Sequence, residues 1–343
     1  MMGISFLFCE IYDDEDSFKA HTTYEHFKIW AEKTKDYYDS ETEVSFCKPV
    51  YPKAISGQTV DKQVIWDSIR NEASNDPYFS NSSLMVIAAP QYVKEENIEE
   101  FIKSNPNTKA LYITHNETST GVENDLKSIS YLAKKYSLLY VVDGISSVAS
   151  VPCNTDELEI DVLISASQKG WVAPPGLAFM SISKKAWEFH CNSSSPKYYF
   201  DISQYKKYLE KGQPPFTPAI GIMYALNKSL KLLLEETMEK VYERHTDAAN
   251  KIRSKLQEIG FELFPKNEFF ASNTLTAVKV PENINCSKFL NILENEHQVI
   301  ISTGQGNLSG KILRIGHLGI VSDEEINWLI NSILETLKSL NNE

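Results

Sequence analysis

The stretch from Leu139 to Ser183, "LYVVDGISSVASVPCNTDELEIDVLISASQKGWVAPPGLAFMSIS", decides the fold. The run Leu-Tyr-Val-Val leads directly into Asp143, and the run Asp-Val-Leu-Ile-Ser comes shortly before Lys169. Short apolar runs bounded by turn-forming residues are typical of strands that are buried on both faces. We therefore expect two neighbouring strands, with an acid at the end of one and a lysine just beyond the end of the other.

The same pattern extends over the region from Leu84 to Ser183, where apolar runs alternate with stretches of helical spacing. Five runs predict strands: "SLMVIAAP", "ALYIT", "LLYVVD", "DVLIS" and "LAFMSI". Two stretches between them, "EENIEEFIKSN" and "NDLKSISYLAKKY", predict helices with polar outer faces. Alternation of strand and helix indicates a parallel, doubly wound α/β sheet.

The C-terminal part of the chain has a different organisation. Helical spacing from Ile220 to Ile259 predicts one long helix, which ends at Gly260. Beyond it, "TLTAVKV", "VIIS" and "KILRIGH" predict strands, whereas "CSKFLNILENEH" and "SDEEINWLINSILETLKSL" predict helices. We therefore expect a large α/β domain in residues 1–220, and a connecting helix with a small α+β domain in residues 221–343.

Composition excludes several classes of function. The 343 residues are 42% hydrophobic and 23% charged, as expected of a soluble globular protein, and the net charge of -12 argues against a nucleic-acid partner. No run approaches the ~18 apolar residues of a membrane span, and the N-terminus has no basic leader. The five cysteines form no CxxC pair, so we expect neither a metal site nor disulfides, and a cytoplasmic location.

Asp143 and Lys169 suggest a specific chemistry. Ligands of parallel sheets bind beyond the carboxyl ends of the strands, where both side chains can reach one crevice. A lysine in a partly desolvated cleft can form a Schiff base with an aldehyde, and an aspartate can keep a pyridine nitrogen protonated. The pair therefore meets the requirement of pyridoxal phosphate chemistry. The alternative is that Asp143 caps a turn and Lys169 is a solvated loop residue.

Four segments resemble the class V aminotransferases, in the order and spacing of that family: "THNETSTGV" (114–122), "VVDGISSVASVP" (141–152), "SASQKGWVAPPGLAF" (165–179) and "GKILRIGHLG" (310–319). The similarity runs from about Tyr24 to the C-terminus and is greatest to the alanine–glyoxylate and serine–pyruvate branch. It implies the fold-type I architecture of pyridoxal-5'-phosphate-dependent transferases, with a mostly parallel large domain and a smaller C-terminal α+β domain. The Ser-Gln-Lys triplet favours transaminases, because desulfurases and selenocysteine lyases usually carry histidine before the lysine.

The resemblance implies a role for each matched residue. Lys169 matches the catalytic lysine, which carries the cofactor and afterwards moves the substrate's α-proton. Asp143 matches the partner of the pyridine nitrogen, Thr118 the hydroxyl near the ring oxygen, and Gln168 a contact to the cofactor phosphate. Arg314 matches the arginine that binds the substrate carboxylate, for which a guanidinium fork is suited. Its position in the apolar run "KILRIGH" argues against the alternative of a surface ion pair.

Two further matches concern the cofactor, and two histidines stay open. Tyr24 matches an aromatic ring that stacks on the cofactor, although it could instead be a packing anchor at a helix start. Thr217, in "QPPFTPAI", matches a threonine that reaches the cofactor phosphate of the neighbouring subunit, which implies a homodimer; the flanking prolines could instead merely stiffen a connection. His115 and His317 could lie at the crevice or be satisfied polar residues, and we assign them no catalytic role.

The family's Ser-Gly-Thr loop, which binds the cofactor phosphate, has no match upstream of Tyr24, since Gly3 is the only glycine before Gly57. We therefore expect an N-terminally shortened family member. The implied reaction is amino transfer from alanine or serine to glyoxylate or pyruvate. One alternative is a catalytically silent member that serves as a dimerisation or scaffold protein. A lyase or desulfurase would need a reactive cysteine near the C-terminal unit, where Cys286 is the candidate.

Overall fold

The computed structural model describes residues 83–87, 92–193 and 197–341. Tyr24 and the expected shortening of the N-terminus lie outside these residues, so both stay predictions. Within the described ranges, no helix is both long enough and apolar enough to cross a membrane.

Strands and helices alternate in the first half of the described chain, and helices dominate the second half. In chain order the elements are β1 (Ser83–Ile87), α1 (Glu95–Ser104), β2 (Thr108–Thr114), β3 (Asn116–Glu117), β4 (Val122–Glu123), α2 (Leu126–Lys135), β5 (Leu139–Asp143), β6 (Val162–Ala166), β7 (Ala178–Ile182), α3 (Lys184–Cys191), α4 (Ile202–Leu209), α5 (Ile220–Glu236), α6 (Met238–Glu258), β8 (Leu275–Lys279), α7 (Cys286–His297), β9 (Ser302–Thr303), β10 (Ile312–Gly316) and α8 (Asp323–Asn341).

The first layer is a five-stranded sheet in the order β1-β2-β5-β6-β7. All five predicted strands are present, and the mostly parallel α/β fold is confirmed. The expectation of a parallel arrangement is wrong for β7, which runs antiparallel to β6. The reason lies in the connection, because residues 167–177 contain no helix and a parallel neighbour needs a crossover, usually helical.

The core of this layer lies between the sheet and the helices α1 and α2, both of which were predicted. Helix α2 begins after Asp125, whose carboxylate accepts the N–H groups of Lys127 and Ser128. Burial of a large aliphatic side chain stabilises the fold by roughly 1.5–3 kcal/mol. The fully or nearly fully buried residues include Ile98, Leu111, Ile113, Ile129, Leu132, Tyr140 and Val142.

The prediction of one continuous helix over residues 220–259 is wrong. The chain breaks between α5 and α6 at Thr237, which adopts φ 74° and ψ 144°. Arg244 of α6 spans the break: its Nε donates to Glu236 Oε1 at 2.7 Å and its Nη1 donates to the carbonyl of Gly319. The break therefore depends on tertiary contacts, since neither glycine nor proline marks it.

The C-terminal unit has an antiparallel sheet in the order β8-β10-β9, packed with α6, α7 and α8. The predicted strand "VIIS" (299–302) is wrong in its bounds, because β9 contains only Ser302 and Thr303, whereas the other predicted elements are present. The core side chains of this unit include Leu256, Val278, Phe289, Leu293, Leu313 and Ile315. The domain boundary at residue 220 stays a prediction.

The short hairpin β3–β4 joins the sheet layer to the C-terminal unit. The carbonyl of Gly121 in its turn accepts the N–H of Ser272 at 2.9 Å. A Cβ at Gly121 would lie 3.1 Å from the Cβ of Ala277, and its φ of 67° also favours glycine. The hairpin is thus pressed closely against β8.

Candidate active site

The carboxyl ends of three parallel strands form the site. Thr114 of β2 pairs with Asp143 of β5, which in turn pairs with Ile164 of β6. The pairing continues past the strand ends, because the N–H of His115 donates to Asp143 O and the N–H of Gly144 donates to Ile164 O, both at 2.9 Å. The residues that follow these strands therefore emerge at one edge of the sheet.

Asp143 ends β5 as a half-buried carboxylate. Its Oδ1 accepts the N–H of Ile145 at 3.0 Å, whereas its Oδ2 has no hydrogen bond to another described residue. Burial raises the pKa of Asp143, while the N–H of Ile145 and the positive charge of Lys169 act in the opposite direction. One carboxylate oxygen is thus available to a ligand, and the charges of Asp143 and Lys169 act on each other.

The turn that carries Lys169 packs against the segment after Asp143. Residues 144–151 form consecutive turns, which we call the platform, and Gly170 lies directly on it. A Cβ at Gly170 would lie 2.4 Å from Val148 O and 2.4 Å from Ser150 Oγ. Glycine therefore permits the close approach of the two loops that brings Lys169 towards Asp143. Within the described chain, the ammonium of Lys169 has no hydrogen bond and no ion pair.

The loop beyond Lys169 is fixed by Ser167. Its hydroxyl donates to Pro174 O at 2.7 Å and accepts the N–H of Leu177 at 3.2 Å. Trp171 adds a further tie, since its Nε1 donates to Ser165 Oγ at 2.8 Å. Gln168, next to Lys169, is exposed. These hydrogen bonds thus fix the backbone of the loop that carries Gln168 and Lys169.

Arg314 enters the site from β10. Its Nε donates to Thr303 O at 2.8 Å, and its Nη1 donates to Thr118 O at 3.1 Å. Burial lowers the pKa of Arg314, while the negative charge of Glu117 opposes this effect. The two backbone contacts fix the plane of the guanidinium, and its Nη2 has no hydrogen bond to another described residue.

Thr118 connects the strand-end residues with Arg314. Its carbonyl binds Arg314, and its Oγ1 lies 2.7 Å from the hydroxyl of Ser146 on the platform. Four of the predicted site residues therefore belong to one connected region: Asp143, Lys169, Thr118 and Arg314. Ser146 was missed by the sequence reasoning, and its only sequence signal is its place in the motif "VVDGISSVASVP".

The other predicted residues are less connected. Thr217 is exposed on the segment before α5 and makes no hydrogen bond to those four residues, and Tyr24 lies outside the described residues. His115 and His317 are buried, and burial lowers their pKa values to about 4 and about 3. Held neutral and enclosed in this way, the two histidines fit a structural role.

Residues 84–320 match the family model described as Aminotransferase class-V. The chain belongs to the class V aminotransferase family. It is 42% identical to an uncharacterized aminotransferase of Methanocaldococcus jannaschii over 247 residues, which cover 71% of this chain and 64% of that protein. It is 34% identical to a serine–glyoxylate aminotransferase of Arabidopsis thaliana over 239 residues, 69% of this chain and 60% of the relative. The matches thus span less than two thirds of these relatives.

A solved structure has the same fold as this chain. The alanine–glyoxylate aminotransferase from Nostoc sp. superposes with a TM-score of 0.71 at 24% sequence identity, over 75% of each chain. This similarity confirms the fold type that the sequence resemblance implied.

The family is dependent on pyridoxal phosphate, and the described residues fit that group. Lys169 offers a primary amine without a hydrogen-bond partner in the described chain, and Asp143, at the end of the neighbouring strand, offers a free carboxylate oxygen. Thr118 contributes a hydroxyl, and the anchored guanidinium of Arg314 faces the same connected region. This chemistry requires an amine that binds an aldehyde, an acid that binds a ring nitrogen and a cation that binds a carboxylate. Lys169, Asp143 and Arg314 supply these three groups.

Replacement of Gly170 by alanine tests the contact between the platform and the lysine turn. The new Cβ would meet two oxygen atoms at 2.4 Å, so the backbone must shift. Overpacking of this kind costs roughly 1–3 kcal/mol, and we expect a lower Tm in thermal denaturation together with weaker retention of pyridoxal phosphate. Gly316→Ala is the control, because no atom lies within 4 Å of a Cβ at that exposed position, so alanine there should not lower the Tm. An unchanged Tm for Gly170→Ala would contradict the close packing.

Proposed function

We propose that this chain is a pyridoxal-phosphate-dependent aminotransferase that transfers an amino group from alanine or serine to glyoxylate or pyruvate. The observation that carries the proposal is that Asp143 ends one parallel strand and Lys169 follows the end of the next, on a turn that Gly170 packs against the platform. Support for the substrate class comes from the similarity to a serine–glyoxylate aminotransferase. A cytoplasmic location is part of the same proposal.

Each site residue has a defined task in this reaction. When bound, the cofactor supplies an aldehyde that takes up the amino group and an aromatic ring that withdraws electrons. Lys169 is the amine that would hold the cofactor, and its Nζ would afterwards move the proton at the α-carbon of the substrate. Asp143 would hold the ring nitrogen in its protonated form, and Arg314 would bind the α-carboxylate of the substrate.

The cofactor phosphate is assigned to residues outside this central group. Gln168 and Thr217 are both exposed, and their polar side chains are accessible to an anion. Thr217 belongs to the segment that is proposed to reach the neighbouring subunit. Tyr24 is proposed to stack on the cofactor ring.

Lys169→Ala tests the cofactor assignment. Wild-type protein, mixed with excess pyridoxal phosphate and then desalted, should keep a visible absorbance band that the Lys169→Ala variant loses. The reason is that Lys169 is the only lysine in residues 167–177, the loop that follows β6. Lys184→Ala removes an exposed lysine at the start of α3 and should keep the band. A wild-type protein without the band, even at excess cofactor, would contradict the proposal and favour the silent family member.

Arg314→Ala tests carboxylate recognition. A hydrogen bond to a charged group contributes about 1.5–3 kcal/mol, so the KM for the amino acid should rise roughly 10- to 100-fold. Cofactor retention should change far less, because Arg314 contacts Thr118 through a backbone carbonyl only. Lys311→Ala removes an exposed cation directly before the same strand and should leave KM unchanged. Equal steady-state constants for Arg314→Ala and wild type would refute the assignment.

The desulfurase alternative finds little support in the surroundings of Cys286. That residue opens helix α7 behind the cap residue Asn285, and its Sγ lies 4.0 Å from Thr303 Oγ1. A desulfurase cysteine must reach the substrate on a mobile loop, whereas Cys286 is part of a regular helix. Transamination is therefore the better reading of this site.

The proposed assembly is a homodimer. The region around Thr217 exposes large apolar side chains, and monomeric proteins rarely leave such a patch in water. The exposed large apolar residues of this part of the chain, which we call the apolar surface, are Tyr198, Tyr199, Phe200, Tyr205, Leu209, Ile220, Met223 and Tyr224. A partner subunit that covers this surface would also lie next to the segment that contains Thr217.

Light scattering at micromolar concentration tests the assembly, with and without pyridoxal phosphate. We expect a dimer for the wild type and a shift towards monomer for Phe200→Arg, which places a charge in the apolar surface. Phe200 is 84% exposed and Phe269 is 83% exposed, so Phe269→Arg is a control of equal exposure outside that surface. A wild-type protein that stays monomeric in both conditions would overturn the proposed dimer.

A further inference from the structure

The hydroxyl of Ser146 makes a direct contact with a proposed cofactor-binding residue. Ser146 is 8% exposed, and its Oγ lies 2.7 Å from Thr118 Oγ1. Its carbonyl accepts the side-chain amide of Asn116 at 3.1 Å, and the same amide donates to Thr274 Oγ1 at 2.6 Å. The hydroxyl and the carbonyl of Ser146 therefore both help to hold the hairpin that carries Thr118.

Backbone hydrogen bonds within the platform fix the position of Ser146. The N–H groups of Ser147 and Val148 donate to Gly144 O at 3.1 Å and 2.9 Å, which closes the turn around Ser146. The same turn begins at Asp143, whose carboxylate accepts the N–H of Ile145. The bond from Ser146 thus sets the position of the Thr118 hydroxyl relative to Asp143.

The direction of this bond determines what Thr118 can do. A threonine hydroxyl rotates between staggered positions unless a partner selects one. A hydroxyl has one proton to donate and two lone pairs to accept with, so a Thr118 oxygen that accepts from Ser146 keeps its own proton for a ligand. We propose that Ser146 is a positioning residue, which donates to Thr118 and thereby directs the Thr118 proton towards an oxygen of the cofactor ring. This inference rests on the proposed function and on the family resemblance, which implies that Thr118 lies near that oxygen.

Ser146→Ala tests the inference by a pH titration of the absorbance of protein-bound pyridoxal phosphate. A hydrogen bond donated to the ring oxygen stabilises its ionised form, so loss of an oriented donor should raise the apparent pKa of the bound cofactor. We expect a rise of about half a pH unit to one unit. Ser146→Thr keeps the hydroxyl and should restore the wild-type titration. Far-ultraviolet circular dichroism and Tm verify that each variant is folded.

Ser147→Ala is the matched control. Ser147 is fully buried on the same platform, and its hydroxyl has no hydrogen-bond partner in the described chain, so its loss should leave the titration unchanged. Equal shifts in Ser146→Ala and Ser147→Ala would overturn the inference, because disturbed packing would explain both. A wild-type titration in Ser146→Ala beside a shifted one in Thr118→Val would also overturn it, while the proposed function stood. Absence of the band from the wild type would defeat both.

Discussion

The hydrogen-bond register of three parallel strands is the constraint on which the site depends. Thr114, Asp143 and Ile164 lie side by side across β2, β5 and β6. Side chains alternate between the two faces of a strand, so a slip of one residue would reverse every side chain of β5. Tyr140 and Val142, now buried in the core, would then turn outwards. The apolar pattern that builds the core therefore also fixes the position at which the acid appears.

Small residues decide how close the loops beyond these strands can approach. A Cβ at Gly144 would lie 2.5 Å from Val148 Cγ2 and 3.3 Å from Ile164 O, and a Cβ at Gly170 would meet the same platform. Gly144 thus permits the tight turn after the strand-end acid, and Gly170 permits the close approach of the lysine turn to the platform. Since the cofactor must bridge both groups, this spacing is a structural requirement of the proposed chemistry rather than a detail of packing.

The parts predicted from the sequence are those governed by local pattern. Apolar periodicity predicted the five strands, and the strand ends placed Asp143 and Lys169 at one edge. The break at Thr237 could not be predicted, because a contact of Arg244 with a distant loop accompanies it. The hydroxyl contact of Ser146 also joins separate segments of the chain, so neither periodicity nor propensity reveals it. The residues that sequence reasoning missed are those whose role depends on a tertiary neighbour.

Three buried titratable groups, Glu123, His115 and His317, make the stability of the fold depend on pH. Burial raises the pKa of Glu123 from 4.5 to about 7, so its stabilising contribution is complete below pH 4.5 and is lost as the pH rises to about 7. Burial lowers the pKa values of His115 and His317 from 6.5 to about 4 and about 3, so their contributions are present above pH 6.5 and are lost as the pH falls. Between pH 4.5 and 6.5, rising pH increases stability through the two histidines and decreases it through the one carboxyl group. As the pH rises through this interval, the net effect of these three groups is therefore to stabilise the fold.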